Sequence, residues 1–125
     1  MRLRWHSILC ENDDVNHALT IADVLTSFGF EIDVANNGVD VLGYTRRRRP
    51  DYALLDIRMP GMNGVDVLKK IKGRNAESPK TFMMTAYCQN GLVKEAREEG
   101  AVDVLEKPLD LSLLIRYFSE NVAPA

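Results

Sequence analysis

Cysteine is scarce in this chain: Cys10 and Cys88 stand far apart, and neither has a CxxC spacing or a histidine-rich neighbourhood. That argues against a secreted disulfide framework and a zinc site, and leaves two free thiols in a reducing compartment. Long apolar runs are missing, so nothing approaches membrane-spanning length. The N-terminal MRLRWHSILC has too few apolar residues before Glu11 for a signal peptide. Neither charge dominates, since a formal net charge of -2 with 27% charged residues lies far from a basic nucleic-acid-binding composition. Internal repeats and low-complexity linkers are also absent. The expectation is a cytoplasmic protein with no membrane segment and no direct nucleic-acid contact.

What is present suits one globular unit. The 125 residues, 46% of them apolar, are enough to bury a single core, so residues 1–125 are expected to form one domain with its core at about 6–121. Short apolar runs around Ser7 to Cys10, Ile32 to Ala35, Tyr52 to Leu55, Phe82 to Met84 and Val102 to Leu105 have strand length. Helical periodicity fills the intervals. The first helix starts near Asp14, turns Ile21, Val24, Leu25 and Phe28 inward, and stops at Gly29. The second spans about Gly38 to Arg49, with Val41, Leu42 and Thr45 inward and Pro50 beyond; the third, Gly64 to Lys72, buries Val65, Leu68 and Ile71. Asn90 to Glu99 has only Leu92, Val93 and Ala96 as anchors and is the easiest to shift, while Leu111 to Asn121 presents Leu114, Ile115 and Phe118. Alternation of five strands with five helices predicts an α/β domain with a parallel sheet and right-handed crossovers.

In such sheets ligands sit beyond the C-terminal strand ends. There the polar residues gather: Glu11 to Asp14 after strand one, Asp56 at the end of strand three, Thr85 at the end of strand four and Lys107 past strand five. An aspartate closing the apolar run YALLD is a helix cap, a solvated strand end or a reactive group. Carboxylates with one hydroxyl and one lysine suit phosphoryl chemistry, in which a divalent cation screens anionic repulsion and the lysine and hydroxyl bind phosphoryl oxygens. Magnesium accepts such oxygen donors.

The stretches ENDD (11 to 14), LLDIRMPGMNG (54 to 64), MMTAY (83 to 87) and EKP (106 to 108) resemble the receiver domains of two-component response regulators over nearly the whole chain. Each motif is weak alone. In this order, with Thr85 lying 29 residues after Asp56 and Lys107 lying 22 after Thr85, the combination is specific. The resemblance implies a flavodoxin-like doubly wound sheet of five parallel strands, order 2-1-3-4-5, with five helices. It implies that Asp56 is the phosphoacceptor, taking a phosphoryl group from a sensor histidine kinase or histidine phosphotransfer protein. Asp13, Asp56 and the Arg58 backbone carbonyl would hold Mg²⁺ (or Mn²⁺), with Asn12 and Asp14 as lesser candidates. Thr85 would hydrogen-bond the phosphoryl group, Lys107 would pair with it, and the Lys107–Pro108 bond would be cis. Further implied partners are an output domain or effector protein, and a dimer through helix four, strand five and helix five.

Three departures stand out. The family's two adjacent acids fall on Asn12 and Asp13, so the first is an amide; sliding by one would instead place Glu11 and Asn12 there. The Asp13 register keeps Phe28-Gly29-Phe30 and Asp56 in step, and leaves Glu11 where an apolar residue is usual. Val104, three before Lys107, occupies the switch position where many receivers carry Tyr or Phe, so signalling is expected to use backbone and helix-four movement. Arg58 and Tyr87 sit where side chains commonly control water access to the acyl phosphate, and imply slow to moderate self-dephosphorylation.

The RRRR run at 46 to 49 closes a helix, where cations complement the macrodipole, and is taken as that rather than as a nucleic-acid patch. His6 and His17 are taken as surface or partly buried residues, with His17 near a helix start where the family docks kinases. The methionines at 59, 62, 83 and 84 and Trp5 are assigned to packing. The expected function is thus a phosphorylatable switch of a two-component phosphorelay, not a turnover enzyme for free substrates, although the domain would catalyse its own aspartyl phosphorylation and dephosphorylation. Two alternatives stand beside it. An aspartate-nucleophile phosphatase would need a second acid where Arg58 stands. A degenerate receiver acting as a phosphorylation-independent binding module is supported by Asn12 and Val104 and opposed by Asp56, Thr85 and Lys107. No output domain is expected after Asn121.

Overall fold

A computed structural model describes residues 7–12, 15–59, 61–73, 78–86 and 91–121. Trp5, His6, Asp13, Asp14, Tyr87, Cys88 and Asn90, singled out above, lie outside them. The elements run β1 (Ser7–Glu11), α1 (Val15–Ser27), β2 (Glu31–Ala35), α2 (Gly38–Arg47), β3 (Tyr52–Asp56), β4 (Arg58–Met59), β5 (Met62–Asn63), α3 (Gly64–Lys72), β6 (Lys80–Thr85), α4 (Gly91–Glu98), β7 (Asp103–Glu106) and α5 (Leu111–Asn121). The main sheet is parallel in the order β2-β1-β3-β6-β7, which is 2-1-3-4-5 when only its own strands are counted. It is the flavodoxin-like doubly wound arrangement.

The continuous apolar strand runs follow from burial on both faces. Leu9, Ala53, Leu55, Met83 and Val104 join Val41 of α2, Val65, Val67 and Ile71 of α3, and Val93 and Ala96 of α4. Their neighbours Ile8, Cys10, Tyr52, Leu54, Phe82, Met84 and Leu105 join Ile21 and Leu25 of α1 and Leu114 and Phe118 of α5 on the other face. Successive side chains of a strand alternate in direction, so each strand feeds both layers. Phe118 centres an aromatic group, with ring centroids 5.1 Å from Tyr52 and 5.2 Å from Phe82.

Several expected boundaries move. The second helix ends at Arg47, not Arg49: Arg48 is extended, at φ -135 and ψ 156, and its N–H caps Tyr44 O ahead of Pro50. The fourth strand spans Lys80–Thr85, and the fifth begins at Asp103 and reaches Glu106. Phe28 is the clear correction. It lies past the end of α1 and is 60% exposed, because the inward stripe of that helix is Ala18, Ile21 and Leu25, and Phe30 enters the core instead. Gly29 ends the helix as expected, with φ 94 and Phe30 N–H reaching back to Leu25 O at 3.2 Å.

Candidate functional site

At the C-terminal rim, β3 ends in Asp56, whose carboxylate is buried although it closes a strand of apolar residues. Two neighbours hold it. Lys107 Nζ pairs with Oδ2, and the Arg58 N–H donates to Oδ1 at 3.0 Å. Lys107 arrives at that place because it directly follows β7, with its N–H on Thr85 O at 2.8 Å; the Lys107–Pro108 peptide is cis, as the resemblance implied. Thr85 is buried at the end of β6, one residue beyond the Met84 that is in register with Asp56.

The loop after Asp56 is shaped by close contact. Gly64 N–H donates to Ile57 O at 2.6 Å, and a Cβ on Gly64 would stand 2.5 Å from Asp56 O and 3.1 Å from Ile57 Cα. Only glycine permits that approach. Asn63 then caps α3 by accepting from the Asp66 N–H at 2.9 Å. The small antiparallel ribbon of β4 and β5, with Gly61 at φ 79 between them, went unread in the sequence because two-residue strands leave no periodicity; Pro60-Gly61 was the available signal.

The residue that sequence reasoning left unexplained enters the site. Glu11, fully buried at the end of β1, accepts from the Asp56 backbone N–H through Oε2 at 3.3 Å. Asn12, also buried, donates its amide to His17 Nδ1 at 2.7 Å and its N–H to Ala35 O at 3.1 Å. Burial pushes the Cys10 thiol up to about 12, helped by the charges of Glu11 and Asp56 and opposed by Lys107. Those three charges therefore act on one small volume. Val104, buried beside α4, belongs to the core and not to this cluster. Arg58 is exposed beside Asp56.

Among the described residues no group of three or more acidic, histidine or cysteine side chains forms a metal cluster. The described rim donors are nevertheless carboxylate, amide and carbonyl oxygens, a set that fits a hard divalent cation such as Mg²⁺. Asp13 and Asp14 lie outside the description. No helix among the described residues is long and apolar enough to cross a membrane.

Fold and rim together define a flavodoxin-like α/β domain with buried carboxylates, Glu11 and Asp56, at its C-terminal strand ends. Comparison makes this specific. The family model of the response regulator receiver domain matches residues 8–119, and the chain belongs to that family. It is 39% identical over 116 residues to the transcriptional regulatory protein ZraR of Klebsiella oxytoca, covering 93% of this chain and 26% of that protein. It is 33% identical over 104 residues to sporulation initiation phosphotransferase F of Bacillus subtilis (strain 168), covering 83% of each. The crystal structure of a CheY-like receiver domain protein from Methanospirillum hungatei JF-1 superposes with a TM-score of 0.86 at 25% identity, over 94% of this chain and 93% of that one. The chain thus spans about a quarter of the length of the ZraR proteins. As a receiver domain it is a phosphorylatable switch of two-component signalling, a class that generally binds Mg²⁺ at its phosphorylation site and works with histidine kinases or phosphotransfer proteins and with output domains.

Proposed function

We propose that Asp56 is the phosphoacceptor and that Lys107 and Thr85 bind the incoming phosphoryl group. The supporting observation is the buried Asp56 carboxylate held between the Lys107 ammonium and the Arg58 N–H at a strand end. An Asp56 oxygen attacks the phosphorus of a partner phosphohistidine; the new P–O bond is an acyl phosphate, and the broken P–N bond leaves its electron pair on the imidazole, which takes up a proton. Lys107 neutralises charge on the phosphoryl oxygens and the Thr85 hydroxyl donates to one of them. Asp13, Asp56 and the Arg58 carbonyl, with Asn12 and Asp14 as lesser candidates, would hold Mg²⁺, which when bound would screen the charge between nucleophile and phosphoryl group. Glu11 adds a further carboxylate beside this set. Arg58 and Tyr87 limit water access to the acyl phosphate and keep self-dephosphorylation slow to moderate.

In the cell the donor is a sensor histidine kinase or phosphotransfer protein in the cytoplasm, and the output is a linked domain or separate effector. Phosphorylation alters the surface of α4, β7 and α5, through which two copies pair. The test is intact mass after incubation with Mg²⁺ and acetyl phosphate, with Asp56→Asn in parallel. One labile phosphoryl group on the wild type and none on the variant supports the assignment. No gain on either, together with no beryllofluoride binding, transfers the function to a phosphorylation-independent binding module.

A further inference from the structure

Away from the phosphorylation rim, the open edge of the sheet carries a second feature. β2 is an edge strand, and between it and α2 runs a groove of about 390 Å³ reaching from Val39 and Asp40 to Arg47, with Val34, Gly43 and Tyr44 along it. Val39, Gly43 and Arg47 are spaced by four and form one stripe down the helix. Val39 is 72% exposed and Val34 41%, and the two are brought together as the apolar part of this groove.

Gly43 creates the trough, and nothing in the packing asks for it. Its φ is not positive, and a Cβ there would meet only Arg47 Nη1, at an ordinary 3.5 Å. Glycine inside a helix weakens it relative to alanine. Such a residue, kept in α2 without a steric reason, leaves space for something else. The run of arginines extends past the helix end. The helix dipole accounts for Arg46 and Arg47 in the last turn, but Arg48 and Arg49 lie beyond the helix, and all four are exposed. Asp33, Glu31 and Arg48 all act on the Tyr44 hydroxyl, which donates to the Asp33 carboxylate at 2.5 Å. The groove is therefore apolar in its middle, acidic at the Asp40 end and basic at the Arg47 end.

We infer that this groove docks an acidic segment of a partner protein, with one apolar side chain over Gly43 between Val34 and Val39 and its carboxylates on Arg46 to Arg49. Charge complementarity fixes the direction: the acidic end of the segment lies toward Arg47, away from Asp40. A nucleic-acid backbone would satisfy the arginines but would leave the apolar trough empty, and the chain as a whole carries a net charge of -2.

The experiment is a titration of the ¹⁵N-labelled chain with a synthetic peptide of one leucine followed by glutamates, its lysine counterpart, and a single-stranded DNA oligonucleotide. The glutamate peptide should shift the amides of Val39, Gly43, Tyr44 and Arg47. Gly43→Phe, Gly43→Gln and Arg47→Glu should each weaken binding about tenfold, while acetyl phosphate labelling of each variant stays normal. Gly43→Gln should at the same time raise the melting temperature, an opposition that a purely structural glycine would not produce. The inference is overturned if the peptide does not bind or if binding ignores the Gly43 substitutions. It is also overturned if DNA binds more tightly than the peptide, or if sedimentation shows a dimer that the same variants abolish, which would make a second copy the occupant.

Discussion

The backbone N–H of Asp56 donates to Glu11 Oε2 at 3.3 Å, so a buried carboxylate on β1 supports the strand end that carries the proposed nucleophile. Glu11 and Asp56 bring two carboxylates close to the Lys107 ammonium, and a bound divalent cation would be favoured by both of them. Glu11→Gln keeps an oxygen acceptor for the Asp56 N–H and removes the charge. The variant should unfold at the same or a higher temperature without Mg²⁺ and gain less than wild type when Mg²⁺ is added. Glu11→Ala, which leaves the Asp56 N–H without this acceptor, should lose about 1–3 kcal/mol. Thermal melts with and without Mg²⁺ decide it; equal Mg²⁺-induced shifts in wild type and Glu11→Gln would remove Glu11 from the electrostatics of the site.

Gly64 offers a steric test of the same strand end. A methyl group would press on Asp56 O at 2.5 Å and Ile57 Cα at 3.1 Å, both backbone atoms that cannot swing aside, and on Met83 Cε at 2.6 Å, which can. Gly64→Ala should cost about 1–3 kcal/mol as overpacking and displace the Asp56 carbonyl. Urea unfolding measures the first effect and beryllofluoride affinity the second. A variant with wild-type stability and affinity would show that the loop yields freely.

Much of this molecule is legible in the sequence because two-sided burial makes the strand runs continuous and each helix carries a clear inward stripe. Asp56, Thr85 and Lys107 were placed on one rim because each lies at the C-terminal end of an expected parallel strand, and the structure brings Lys107 onto Asp56. Phe28 was misplaced because periodicity extends an apolar stripe through a helix end without marking where the backbone turns away. Glu11 was unaccounted for because its meaning depends on a hydrogen bond to β3, which lies 45 residues away in sequence. No local pattern encodes such a contact.

Asp103 ties together three elements, accepting from Arg97 of α4 at 3.0 Å and from the Tyr117 hydroxyl of α5 while standing on β7. Burial pushes its carboxyl up, but the Tyr117 hydroxyl, the Val104 N–H and the Arg97 guanidinium outweigh that and hold it below the usual aspartate value. The unfolded chain therefore binds the proton more tightly, and stability rises with pH through this window. The contribution is complete above about pH 4 and lost as pH falls through the folded-state value. The difference in urea midpoint between wild type and Asp103→Asn should be present at neutral pH and shrink in acid. A difference that is constant or grows in acid contradicts the assignment.

α4 is a short helix with a small buried face, and it packs against Val104. It buries only Val93 and Ala96, and is otherwise tethered by Lys69–Glu95 at 2.7 Å to α3 and Arg97–Asp103 at 3.0 Å to β7. Both pairs are partly exposed, and Arg97–Asp103 contributes about 0–1 kcal/mol. Val104 packs in the core with Val93 and Ala96 of this helix and has no ring to turn inward, so the expectation to test is that occupancy of the site is transmitted by moving backbone. Beryllofluoride should change amide exchange in Gly91–Glu98 more than in α1 or α5 and shift the Arg97 side-chain resonance. Arg97→Ala should speed exchange in α4 by up to about fivefold, the factor that corresponds to one such pair. Free and beryllofluoride-bound structures that superpose through α4, with Arg97–Asp103 intact in both, would defeat the mechanism and leave the α4 surface without a part in the switch.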